Sequence, residues 1–185
     1  MSTFTQDRDL GSLHPKVRQL AERFVAACAA EGIEILITET ARSNARQRWL
    51  AFRGKSRAGS GGSYHNYGMA FDFVPLVDGQ PVWDRGDLWQ RAGELGEGAG
   101  LEWGGRWDSF PDKPHLQYTG GLSIPDLKRG QRLTEEPEFV APDWAAEGIA
   151  WAEKEGIITQ IDGKPMTDFR LAVILHNFAK KIGKA

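Results

Sequence analysis

Cysteine is almost missing from this chain: Cys28 is the only one in 185 residues. An intramolecular disulfide is therefore excluded, and so is a zinc site built on paired thiolates. Histidine is scarce too, with only His14, His65, His115 and His176, so a transition-metal site must draw on these and on carboxylates. No apolar run approaches the roughly 18–20 residues that span a bilayer, and membrane insertion is not expected. The polar stretch Met1 to Asp9 lacks the cationic and apolar regions of a secretory signal. The expectation is a protein made in the cytoplasm that needs another route to work outside it. Charge of one sign is lacking as well: 23 Lys+Arg against 25 Asp+Glu give a net charge of −2. That balance excludes a polybasic nucleic-acid binder, although a local basic patch is compatible with it. Hydrophobic residues at 41 % and charged residues at 26 % are a globular balance, not that of a disordered chain.

What is present reads as one domain with a small appendage. Pro15 opens a helix that Gly32 stops, with Val17, Leu20, Ala21, Phe24 and Cys28 on one apolar stripe. Cys28 in that stripe reads as a buried small hydrophobe. The β-branched run from Ile33 to Thr38 reads as a half-buried strand, and Ser43 can cap a short helix through Trp49 and Phe52. Residues 54–63 form a Gly/Ser-rich loop, not a phosphate-binding loop, because the Gly-Lys-Ser comes first with no spacer behind another glycine. Met69 to Val74 reads as a strand, and Leu76 to Trp83 continues it as a hairpin through Asp78-Gly79. Leu88, Ala92, Leu95 and Ala99 mark a helix ending at Gly100. Short strands follow at Leu101-Glu102-Trp103 and His115 to Tyr118. Strands with segregated helices predict an α+β fold with a small, mainly antiparallel sheet.

The main domain is expected over 1–133. Residues 134–142, with two prolines and three acids, read as a linker. Residues 143–185 read as two helices, one carrying Trp144 and Trp151 and one capped by Thr167. Such a segment is marginal alone and is expected to pack on the first domain, a partner or another copy.

The chemistry concentrates in two stretches. In Ser63-Tyr64-His65-Asn66-Tyr67-Gly68-Met69-Ala70-Phe71-Asp72-Phe73, strand alternation puts Phe71 and Phe73 on one face and Asp72 on the other. A buried aspartate there needs a cation or several donors. Gly68 permits a sharp entry into the strand. In Asp112-Lys113-Pro114-His115-Leu116-Gln117-Tyr118, Pro114 enforces an extended approach, and His115 and Gln117 face one way. Asp112, three positions before His115, can sit near a metal without being a ligand. Two histidines and a carboxylate with a water in the fourth place make a catalytic zinc set. A nearby carboxylate can then deprotonate that water. From these residues alone, an ordinary hydrogen-bonded polar cluster is the other reading.

Ser-x-His-x-x-Gly-x-Ala-x-Asp (Ser63 to Asp72) followed by Asp-x-Pro-His (Asp112 to His115) resembles the VanY-type zinc peptidases. Leu13 to Val17, Thr38 to Ser43 and Gly100 to Gly105 are similar to blocks of the L-alanyl-D-glutamate endopeptidase branch, known from phage endolysins and bacilli. The resemblance covers about residues 9–132. It implies His65, Asp72 and His115 as zinc ligands, Asp112 as catalytic base, and Arg42 and Ser63 as holders of a substrate carboxylate. A planar guanidinium suits that last task. Three positions depart from the family pattern: Ala41 for an aromatic, Arg46 for an acid, and Leu116 for a Phe. The first two lie on the substrate side and bear on specificity. His14 looks like a helix-start residue and His176 like a surface residue. The tail is similar to a single S-layer-homology-like repeat, which suggests wall binding or a stabilising cap.

The implied activity is a zinc-dependent endolysin, a monomer, cutting the L-Ala–D-Glu bond of the peptidoglycan stem peptide. It would reach the wall or periplasm through a membrane pore made by another protein. The rivals are a D,D-carboxypeptidase or dipeptidase on the same scaffold, and a non-catalytic wall-binding module that keeps zinc for stability.

Overall fold

A computed structural model describes residues 5–134. The linker reading (all but Thr134), the helical appendage at 143–185, its S-layer-homology-like likeness and His176 lie outside the described residues. Up to that boundary the chain is tied in: Leu133 packs on the core, and the Arg132 guanidinium lies 5.5 Å from the Tyr67 ring centroid.

Helix α1 (Pro15–Ala30) begins where His14 Nδ1 accepts from the Lys16 amide. It buries the expected stripe: Val17, Leu20, Ala21, Phe24 and Cys28. Burial pushes the Cys28 thiol up to about 12, which keeps it protonated and inert. Strand β1 (Ile35–Glu39) follows, then α2 (Asn44–Phe52), capped by the Ser43 hydroxyl accepting from the Arg46 amide. The loop after α2 leads into a 3₁₀ turn at Tyr64–Tyr67. Gly68 ends that turn at φ +66°, and a Cβ there would press to 3.1 Å from the His14 amide nitrogen. Strand β2 (Ala70–Val77) turns at Asp78-Gly79 into β3 (Gln80–Pro81), with both turn residues at positive φ. Helix α3 (Gly86–Gly98), β4 (Glu102–Trp103), β5 (His115–Gln117) and α4 (Ile124–Lys128) complete the unit. The predicted α+β class is correct: strands run in the order β1-β2-β5-β4, every pair antiparallel, with β3 on β2.

One face of this sheet is the core. Phe71 and Phe73 point into it and meet Phe24 at 5.9 and 5.0 Å between ring centroids, and Phe73 meets Trp89 at 5.2 Å. The other face carries the polar residues Asp72, His115 and Gln117.

Helix α3 differs from its sequence reading in its buried face. Trp89, Ala92, Gly93 and Gly96 are buried, while Leu88, Leu95 and Ala99 are only partly covered. The glycines make a notch for larger neighbours. A Cβ on Gly93 would lie 2.2 Å from the Trp103 indole, and one on Gly96 would lie 2.6 Å from Leu116. Gly93→Ala gains about 1 kcal/mol of helix propensity, whereas overpacking a core costs about 1–3 kcal/mol. The indole is buried and its Nε1 is tied to the Lys113 carbonyl at 2.8 Å, so it cannot yield. A lowered denaturation midpoint is the expected result for Gly93→Ala, and an unchanged or raised midpoint would show that the notch is not needed.

Candidate active site

Strand pairing assembles the site. Asp72 on β2 stands directly opposite His115 on β5, and cross-strand partners share a face. On the other side of β2, the pairing of β1 is regular through Ile37↔Phe73 and then shifts, so that Glu39 rather than Thr38 opposes Asp72. That bulge turns Glu39 away from the core and onto the polar face. His65 comes from the 3₁₀ turn that Ser63 caps.

Three atoms converge. His65 Nε2 lies 3.2 Å from both Asp72 Oδ1 and His115 Nδ1, and His115 Nδ1 lies 3.3 Å from Asp72 Oδ1. The remaining ring nitrogens fix the tautomers. His65 Nδ1 sits 2.7 Å from the Thr40 carbonyl, which can only accept, so that nitrogen carries the proton. His115 Nε2 lies 3.0 Å from Gln117 Oε1, and the Gln117 amide is oriented by donating to Glu102 Oε2 at 2.7 Å. His65 Nε2 and His115 Nδ1 therefore present lone pairs to each other and to a carboxylate. Such a set repels itself unless a cation or a proton lies between its members. The edges match the roughly 3.3 Å expected between ligands of a tetrahedral zinc with bonds of about 2.0–2.1 Å. His65, Asp72 and His115 thus form a cluster fit to hold a metal ion.

Without metal the cluster compensates by titration. Burial works against charge on Asp72, but His65 and His115 overcome it and hold its carboxyl well below the usual range. For His115, burial also opposes charge, and the bond to Asp72 wins and raises its imidazole.

Asp112 lines the same cleft of about 410 Å³. Burial raises its carboxyl, with His115 opposing and Asp72 adding to the rise. A raised carboxylate is a better proton acceptor near neutral pH. The loop that presents it is closed by the Asp112 amide donating to the Gly104 carbonyl at 2.9 Å. A Cβ on Gly104 would meet the Asp112 carbonyl at 2.6 Å, so only glycine allows that closure. The Trp107 ring stands 5.1 Å from the His115 ring.

Arg42 and Ser63 both line the cleft, and both also serve the protein. Arg42 donates through Nη2 to Glu39 Oε2 at 2.6 Å and to Asp72 Oδ2 at 3.3 Å, and through Nη1 to Gln47 Oε1 at 3.0 Å. Among the described residues its buried Nε has no partner. Ser63 Oγ accepts from the His65 amide at 3.4 Å. Arg46, the departure from the family pattern, is buried and pairs with Glu39. Glu39, Gln117 and Glu102 were not singled out from the sequence. Alternation places Gln117 beside His115, but the bulge that brings in Glu39 leaves no mark in composition. Because Gln117 holds His115 in its metal-facing tautomer, Gln117→Leu should weaken zinc affinity about 10- to 100-fold. Competition with a chelator measures this, and unchanged affinity would remove Gln117 from the site.

Residues 56–118 match the peptidase M15 family described as D-alanyl-D-alanine carboxypeptidase. The chain is 39 % identical over 122 residues to the peptidoglycan L-alanyl-D-glutamate endopeptidase CwlK of Bacillus subtilis, covering 57 % of this chain and 72 % of that protein. It is 32 % identical over 124 residues to the L-alanyl-D-glutamate peptidase of Listeria phage A118, covering 64 % of this chain but only 43 % of the phage protein. Among solved structures, the L-Ala D-Glu endopeptidase ChiX of Serratia marcescens superposes with a TM-score of 0.53 at 26 % identity, over 66 % of this chain and 92 % of that one. With that identity spread over most of CwlK, and with the sheet that sets Asp72 opposite His115, this chain belongs to the M15 peptidases.

Proposed function

We propose that the protein is a zinc-dependent peptidoglycan endopeptidase of the endolysin type, hydrolysing the L-Ala–D-Glu bond of the stem peptide at the cell wall. One observation carries the reading: three ligand atoms 3.2–3.3 Å apart share a cleft with a half-buried fourth group, Asp112. A site kept for stability alone has no need of that carboxylate. The likeness to relatives named for this bond supports the substrate.

His65, Asp72 and His115 would hold the zinc. When bound, zinc would polarise the scissile carbonyl and lower the pKa of the attacking water. Asp112 takes the proton of the attacking water and returns it to the leaving amine of D-Glu. Arg42, held rigid by Glu39 and Gln47, orients the peptide through a carboxylate of the substrate, with Ser63 beside it. The catalytic unit is residues 1–133.

The test is to incubate the zinc-loaded protein with purified muropeptides and weigh the products. Release of a peptide beginning at D-Glu is expected. Loss of only a terminal D-Ala would instead make it the D,D-carboxypeptidase after which the matched family is described. Wall binding without turnover would reduce it to a binding module.

A further inference from the structure

Between Glu39 and Asp72 the chain has no acidic residue and six cations: Arg42, Arg46, Arg48, Arg53, Lys55 and Arg57. This is a +6 segment inside a chain of net charge −2, so the remainder carries −8. Arg42 and Arg46 are paired with Glu39. Lys55 and Arg57 are not: both are exposed, both line the cleft that holds the metal cluster, and among the described residues neither has an acidic partner. The acids lining that cleft are Asp72 and Asp112 alone, and both belong to the metal cluster and its proton acceptor.

Arg57 also has an aromatic neighbour. Its guanidinium carbon lies 4.3 Å from the centroid of the Phe110 ring, and Phe110 comes from the loop that carries Asp112. A cation–π contact with the ring leaves the guanidinium N–H groups able to donate to a carboxylate. It also gives a role to Phe110, which is otherwise a large hydrophobic 46 % exposed at the mouth of a cleft.

We propose that Lys55 and Arg57 form a second anion subsite of the cleft, which takes a carboxylate of the substrate beyond the D-Glu residue. Resting on the proposed endopeptidase reading, this makes the preferred substrate a stem peptide whose third residue is a diamino acid bearing its own side-chain carboxylate, such as diaminopimelate. Arg42 serves the carboxylate next to the scissile bond. Lys55 and Arg57 serve the following one, and the enzyme discriminates wall chemotypes at this point.

The substrates for the test are L-Ala-γ-D-Glu-diaminopimelate with its side-chain carboxylate free or amidated. Wild type should show a KM about tenfold lower or better for the free acid, the size expected of one charge-assisted contact, with kcat for the two peptides within about twofold. Lys55→Gln/Arg57→Gln should handle both peptides with one KM while zinc content and thermal midpoint stay at wild-type values. Arg57→Lys should recover part of the discrimination. A wild type indifferent to amidation, or a double variant that discriminates as wild type does, would overturn the subsite. Calorimetric binding of γ-D-Glu-diaminopimelate, free or amidated, to the zinc-loaded protein separates this from the proposed reaction. Discrimination in binding without L-Ala–D-Glu cleavage sinks the reaction and keeps the subsite. Cleavage without discrimination, or no binding of either dipeptide, sinks the subsite.

Discussion

Asp112→Asn is expected to lower turnover about 100- to 10,000-fold while zinc content stays at the wild-type level. Asn has nearly the same size, and the backbone bonds that fix residue 112 do not involve the side chain: its amide donates to Gly104, and its carbonyl accepts from the His115 amide at 3.1 Å. The loop should therefore keep its shape. What is lost is the capacity to accept a proton, which in the native carboxylate is enhanced because burial raises it. His115→Ala is the contrasting variant. It removes one corner of a triangle whose edges are 3.2–3.3 Å, and both zinc and activity should go with it. Loss of zinc from Asp112→Asn would make Asp112 a ligand. Wild-type turnover in that variant would assign the base elsewhere.

Metal removal should abolish hydrolysis, with zinc restoring it, and should also invert the dependence of stability on pH in one window. In the metal-free protein the His115 imidazole is raised by Asp72. Its pairing energy is fully present below the unfolded value of about 6.5 and disappears as pH rises through the folded value, where lone pairs come to face one another. Asp72 has the opposite sign: its lowered carboxyl contributes above the unfolded value of about 3.9 and that contribution is lost as pH falls through the folded one. Metal-free protein should thus be most stable between these limits and weaken as pH rises beyond the upper one. The zinc form should gain over the same interval, because the metal displaces protons from the histidines. Thermal midpoints of both forms across pH 5–8 measure the two slopes, and parallel slopes would contradict a metal held by these histidines.

The parts of this site that could be read from the sequence are those fixed by local geometry. Alternation along β2 separates Asp72 from Phe71 and Phe73. Gly68 marks the turn between His65 and its strand, whereas the extended approach expected of Pro114 is not found: Lys113 and Pro114 lie in a turn that the His115 amide closes on the Asp112 carbonyl. The family likeness then joined two stretches that lie some forty residues apart. What stayed hidden depends on pairing between distant segments. The bulge at Thr38 decides whether Glu39 faces the core or Asp72, and nothing in Ile35–Glu39 distinguishes the two. Helix α3 presents Gly93 and Gly96 to its neighbours because an indole and a leucine arrive from later strands, and glycine gives no hydrophobic signal to reveal that face. Gly104 likewise looks like half of an ordinary Gly-Gly turn until the Asp112 carbonyl closes on it.

The most direct test of the account is anomalous diffraction at the zinc absorption edge from crystals of the zinc-loaded, active protein. One strong peak is expected about 2.0–2.2 Å from each of His65 Nε2, His115 Nδ1 and Asp72 Oδ1, with Asp112 beyond bonding distance. A fully active protein with no peak at that point, or with its zinc on other side chains, would contradict it.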